Sequence, residues 1–178
     1  MTAFNDFRGK TAVVTGGASG LGKGIARRLI AEGMRVVIAD IEDGALQRTA
    51  AEIGATGLRA DVSDFASVQS LAAEVLRRFG AVHVVCNNAG VGSIGRIADL
   101  TLEDWHWMLG VNLWGVIHGV RAFLPTLAAQ GEGHIVNTAS IAGLLPGFGA
   151  AYDASKHAVV ALTEDLYLAM RGSGLPIG

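Results

Sequence analysis

"VVTGGASGLGKGIARRL", residues 13–29, decides the fold. A β-branched strand runs straight into a glycine-rich turn, and the turn runs straight into a helical pattern. Gly16, Gly20 and Gly22 stand as G-x-x-x-G-x-G. Three physical needs explain such spacing: a tight turn, a close backbone approach to a pyrophosphate, and close packing of helix on strand. Free N–H groups across Ser19, Gly20, Leu21 and Gly22, with the positive end of the helix dipole, then hold the phosphates. The alternative is a glycine-rich turn with no ligand. Its place after the first strand of a βαβ unit favours binding.

Downstream, short apolar runs alternate with helical patterns. The strand candidates are 11–15, 35–39, 57–60, 82–86 and 134–139, with helices expected at 20–32, 42–53, 64–79, 102–129 and 152–171. The strands are nearly continuous in apolar character, as strands covered on both faces should be. Repeated βα units imply right-handed crossovers, so the expected fold class is α/β: a Rossmann-type doubly wound parallel sheet in three α/β/α layers. With no linker or repeat, residues 1–178 read as a single domain. Thr101 and Asp104 form a capping-box pattern before the fourth helix, and Pro125 should bend or end it.

Asp40 closes the second strand, eighteen residues after Gly22. A carboxylate there can accept hydrogen bonds from both ribose hydroxyls of an adenosine and repel a 2′-phosphate, which favours NAD over NADP. A helix-capping role is the alternative. Lys23 and Arg35, cations in the neighbourhood, keep NADP as the lesser option. Asp61 and Val62, after the third strand, are placed to flank the adenine, although Asp61 could equally cap the next helix.

Composition narrows the classes. Hydrophobic residues make up 51% and charged residues 17% of the chain, a profile that suits a packed interior and not a disordered segment. The formal charge of -2 gives no electrostatic reason to expect nucleic acid or an anionic membrane. No apolar run reaches the length of a membrane span. The lone Cys86 lies in an apolar strand and reads as core, which makes a reducing cytoplasm the default compartment. His83, His106, His118, His134 and His157 show no ligand spacing, so no catalytic metal is expected. Trp105, Trp107 and Trp114 read as core or interface.

Five motifs in register, "TGGASGLG" (15–22), "NNAG" (87–90), Asn112, "NTAS" ending in Ser140, and "YDASK" (152–156), resemble the short-chain dehydrogenases/reductases, in the short and not the extended branch. The resemblance implies an NAD(P)-dependent oxidoreductase that moves a hydride between nicotinamide and a secondary alcohol or ketone. Tyr152 would be the general acid or base. A free phenol, with pKa about 10, is a poor base near neutrality; a lysine one helical turn on, at Lys156, favours the phenolate and can also bond the nicotinamide ribose. Ser140 would hold the substrate oxygen as charge develops. Asn112, on an apolar stripe with Trp105, Met108, Val116 and Val120, should have a buried partner. The family role is to hold a proton-relaying water; the alternative is an amide bonding backbone. Asn88, Ala89 and Gly90 would let the backbone pass close to the cofactor, while Asn87 could equally stabilise the sheet.

The resemblance further implies a homodimer or homotetramer through the 102–129 and 152–171 helices. Family members continue past the point where "GSGLPIG" closes this sequence, with further strands and a substrate lid. The C-terminal strands are therefore expected to be missing, leaving "HIVNTA" as an unpaired edge, with "LPIG" as the run-up to a strand in part of a longer chain; a protein that truly ended here would bind nicotinamide weakly and turn over little. Ile94, Ile141, Leu144, Leu145 and Phe148 lean the substrate towards an uncharged, apolar alcohol or ketone. A dinucleotide-binding protein of the same fold without turnover is the competing expectation.

Overall fold

Thr11–Thr15 (β1) is buried along its whole length, as the central strand of a covered sheet must be. The computed structural model describes residues 6–92, 96–174 and 177–178. Arg35–Asp40 (β2), Thr56–Arg59 (β3), Val84–Asn87 (β4) and His134–Asn137 (β5) join β1 in one five-stranded sheet of order β3-β2-β1-β4-β5. Every pairing within it is parallel. Parallel neighbours need crossovers, and these are Gly20–Ala31 (α1), Asp43–Ile53 (α2), Phe65–Phe79 (α3) and the run from Leu102 to Gln130. The final helix, α6, is Ala150–Ser173.

Alternation along the strands divides the interior into two cores. Ala12, Val14, Val36, Ile38 and Cys86 face α1 and α2, where Ala26, Leu46 and Ala50 meet them. Val13, Val37, Val85 and Ile135 face the other layer, with Val68, Leu71 and Val75 of α3 and with Phe123 and Leu127 further on. Leu166 and Met170 of α6 pack against this second core. The three layers therefore follow from which side each strand residue points to. Cys86 is a buried free thiol whose pKa is pushed up to about 11 by burial. It is the core residue expected of it.

The expected helix over 102–129 is three pieces: Leu102–Leu109 (α4), a π-helical segment Gly110–Trp114, and Gly115–Gln130 (α5). α4 opens with the expected capping box, Thr101 and Asp104 each bonding the other's backbone N–H. Pro125 does not end the helix. It removes one backbone donor, but Phe123 and Leu127 are anchored in the core on either side of it, and α5 runs on to Gln130. Asp61 does not cap α3; Asp64 does, accepting from Ala66 N, while Asp61 binds Ser63 N and Oγ.

The β5 edge is not left bare. Ile177, itself buried, pairs in parallel with Gly133. Ile135 N donates to the Gly178 carbonyl at 2.8 Å, and Gly178 N donates to the Gly133 carbonyl at 3.1 Å. The residues at the end of "LPIG" take the position of a next strand, because an apolar parallel edge is most stable when its ladder is continued.

Candidate active site

The sheet's topological switch lies between β1 and β4, and at the carboxyl ends of these strands opens a cleft of about 1070 Å³. Crevices at this place are where open α/β sheets take ligands. Gly16, Ser19, Gly20 and Leu21 form its floor. Gly16 and Gly20 have φ of +65° and +50°, a left-handed backbone that favours glycine. A Cβ on Gly16 would lie 2.8 Å from Ala89 Cα. Gly22 is not on the wall. A Cβ there would lie 2.1 Å from the Gly16 carbonyl oxygen, so its role is the close packing of α1 under the turn. Ser19, the N-cap of α1, makes no side-chain cap bond, which leaves first-turn amides for a ligand on the cleft side. The cradle fits a pyrophosphate.

Asp40 stands at one end of the cleft with Ile41 and Glu42. Its two oxygens accept from Ala18 N at 3.1 Å and Glu42 N at 3.2 Å, tying β2 to the glycine turn. A carboxylate has further lone pairs, so both ribose hydroxyls can still be received. The neighbouring cations are used elsewhere. Lys23 pairs with Glu52 at 2.7 Å, and Arg35 lies at the opposite end of β2, over the Phe79 ring and bonded to Thr11. Neither is placed to receive a 2′-phosphate. Asp61, Val62 and Ser63 form the adjoining wall with Val111 and Trp107. Trp107, half exposed, is thus a cleft residue and not only a core or interface one.

A seam of polar contacts holds the cleft's back wall. Thr15 Oγ1 accepts from Asn88 N at 3.0 Å and Ala89 N at 3.1 Å, while Asn88 Nδ2 donates to the Thr15 carbonyl at 3.0 Å. Thr138 Oγ1 donates to Asn88 Oδ1 at 3.3 Å, which carries the seam to β5. Asn87 points away from the cleft and donates to Asn137 Oδ1 at 2.9 Å, joining β4 to β5. Of its two readings the sheet-stabilising one holds.

The far end of the cleft gathers Ser140, Tyr152 and Lys156. Ser140 lies just past β5, where its Oγ accepts from Ala142 N at 3.2 Å and keeps its proton for donation. Tyr152 and Lys156 share a face of α6, with the Lys156 ammonium 5.8 Å from the centroid of the Tyr152 ring. Lys156 is only 4% exposed, and burial lowers its pKa from the ordinary lysine value. Its Nζ donates to the Thr138 carbonyl at 2.7 Å. A cation so placed lowers the cost of a negative phenolate beside it.

Asn112, in the π-helical segment, is fully buried and off the cleft wall. Its Oδ1 accepts from Val91 N at 2.8 Å, and its Nδ2 donates to the Val91 carbonyl at 2.9 Å and to Ser155 Oγ at 3.2 Å. These contacts join the π segment to the Val91 backbone and to α6. Sequence reasoning missed Thr15, Val91 and Thr138, which hold the site together. The Thr138 contact is a backbone carbonyl, which no residue type announces. Ile94 lies outside the described residues.

A doubly wound sheet with a glycine turn at its switch point defines the class of Rossmann-type proteins. Within that class, the family model for short chain dehydrogenase matches residues 10–177, and the chain belongs to that family. It is 43% identical over 166 residues to 1-deoxy-11-beta-hydroxypentalenate dehydrogenase of Streptomyces arenae, covering 88% of this chain and 59% of that protein. It is 39% identical to meso-2,3-butanediol dehydrogenase of Serratia marcescens, covering 95% of this chain and 69% of that protein. The chain therefore spans about three fifths to two thirds of these relatives. A crystal structure of a short chain dehydrogenase/reductase from Burkholderia phymatum in complex with NAD superposes with TM-score 0.95 at 49% identity, covering 97% of this chain and 64% of that one.

Proposed function

We propose that the protein is an NAD-dependent oxidoreductase interconverting a secondary alcohol and a ketone, with Tyr152 exchanging the hydroxyl proton. The observation that carries this reading is the convergence of Ser140, Tyr152 and Lys156 at one end of the cleft whose other end holds the glycine turn and Asp40. NAD, when bound, supplies the hydride chemistry. Gly16, Ser19, Gly20 and Leu21 hold its pyrophosphate, with Gly22 packing beneath; Asp40 takes the adenosine ribose; Asp61 and Val62 flank the adenine. Asn88, Ala89 and Gly90 pass close along its path. Lys156 bonds the nicotinamide ribose.

The protein's own part in the chemistry is to move one proton and steady one oxygen. Tyr152 takes the alcohol proton or returns it to the ketone oxygen. Lys156, held by the Thr138 carbonyl, keeps positive charge beside the phenol and so favours its ionised form. Ser140 donates to the substrate oxygen while charge builds on it. Asn112 fixes Val91 and Ser155, and through Ser155, which donates to the Tyr152 carbonyl, it steadies the head of the catalytic helix.

The substrate is uncharged and apolar, a reading supported by exposed Ile141, Leu144, Leu145 and Phe148 beside the site. The chain acts as one unit and assembles as a homodimer or homotetramer. Exposed Leu102 and Trp114 on the first helical run and Tyr167 and Leu168 on α6 support such contacts. Among the described residues no helix is long and apolar enough to cross a membrane; a cytoplasmic location rests on the single buried thiol. The test is NADH formation from secondary alcohols. Tyr152→Phe should lower kcat at least about a hundredfold while NAD still binds, and equal turnover by both proteins would remove the mechanism.

A further inference from the structure

The connection from β5 to α6 presents Ile141, Leu144, Leu145 and Phe148 with about half or more of each side chain exposed. Apolar side chains in such a loop have little packing to hold them, so something else must fix their positions. The loop is fastened at three points. Ser140 Oγ ties its start to Ala142 N. Gly143 packs against α6 so closely that a Cβ would lie 2.7 Å from the Lys156 carbonyl oxygen. Asp153, the residue after Tyr152, fastens its end.

Asp153 is buried, with 9% of the residue exposed. Its Oδ2 accepts from Gly147 N at 2.7 Å and from Phe148 N at 3.2 Å, and its Oδ1 lies 3.3 Å from Phe148 N. Asp153 N in turn donates to the Gly149 carbonyl at 2.7 Å. Gly147 and Gly149 have φ of +125° and +130°, so the chain doubles back there in a backbone that other residues rarely adopt. Among the described residues no cation pairs with this carboxylate. Its charge is received by backbone amides and by the first turn of α6, which favours an anion.

We infer that Asp153 is a positioning residue whose carboxylate clamps residues 147–149 to the head of α6, and so sets the distance between the apolar wall carrying Phe148 and the Tyr152 hydroxyl. This rests on the reading of Tyr152 as the proton-transfer residue of an alcohol oxidoreductase. The consequence is selective: a bulky apolar alcohol, which touches the wall, depends on the clamp more than a small alcohol does.

Asp153→Ala and Asp153→Asn test this in two independent arms. Asparagine keeps the shape and one acceptor oxygen, so it should restore part of what alanine loses. In the first arm, amide hydrogen exchange at Gly147 and Phe148 should quicken at least about tenfold in Asp153→Ala, the worth of one hydrogen bond to a charged group, and less in Asp153→Asn. Unchanged exchange at both amides would overturn the clamp. In the second arm, the KM for cyclooctanol with NAD should rise about tenfold in Asp153→Ala, while that for propan-2-ol rises less than about threefold. Equal rises for the two alcohols would overturn the selective consequence. A wild-type protein that oxidises neither alcohol would overturn the functional reading and this consequence with it, leaving the exchange arm to decide the clamp by itself.

Discussion

Asp40 and Lys156 each act through one charge, and each predicts something measurable. Asp40→Asn keeps the shape and one of the two acceptor oxygens that Ala18 N and Glu42 N use, and removes the negative charge facing a 2′-phosphate. NAD affinity should fall about tenfold and NADP affinity should rise, read by titrating both cofactors; an unchanged preference would move the discrimination elsewhere. Lys156 is buried, and its folded-state pKa is lowered by that burial. Between the lowered value and the ordinary lysine value of 10.5 the unfolded chain binds more protons. Wild-type stability relative to a Lys156→Met variant should therefore rise as pH rises through that window and be flat below the folded value. Denaturant unfolding at stepped alkaline pH checks the sign. Asp40 and the Tyr152–Lys156 pair were legible in the sequence because local spacing places them. Asp153 was not: it stands inside "YDASK", and its partners at 147 and 148 depend on two glycine backbones that carry no residue-type signal.

The run from Leu102 to Gln130 shows where periodicity stops being informative. A 3.6-residue pattern gives the helix and its apolar stripe, and "TLED" gives its start. The five-residue π segment carrying Asn112 has no such signature, since it arises from what the helix must reach across to, the Val91 backbone and Ser155. Small residues let the same run approach the sheet. A Cβ on Gly115 would lie 2.9 Å from Val62 Cγ2, and one on Gly119 would lie 1.9 Å from Asn87 Oδ1. Among the described residues Asn87 Oδ1 is buried with no hydrogen-bond partner, and Gly119 packs directly against it. Gly119→Ala forces α5 away from β4 and should cost roughly 1–3 kcal/mol in chemical denaturation. Thr101→Ala removes the cap of α4 and should cost about 1 kcal/mol. Unfolding like wild type in both variants would mean that neither the Gly119 approach nor the Thr101 cap stabilises this run.

Across the whole molecule, the doubly wound order was readable because strand and helix patterns alternate and right-handed crossovers leave few topologies. The end of the sheet was legible only as "LPIG" leading towards a strand; that Ile177 and Gly178 already continue the β5 ladder rests on backbone bonds, which no residue type announces. Beneath the sheet, Thr11 N donates to His83 Nδ1 at 3.1 Å, a bond that needs the ring nitrogen unprotonated. Burial, with Lys10 and Arg35 nearby, lowers the His83 pKa from 6.5. Its contribution to stability is thus complete above about pH 6.5 and lost as pH falls through the lowered value. A His83→Gln variant should show a flatter stability profile below pH 6.5 than wild type. Cofactor at the glycine turn and proton transfer at Tyr152 make the cleft one working site. Incubating the protein with NAD and a secondary alcohol deuterated at its carbinol carbon follows the hydride through that site. Deuterium should appear on the reduced nicotinamide in wild type and hardly at all in Tyr152→Phe; label absent from the nicotinamide in both proteins, or equal in both, would mean that the cleft does not work in this way.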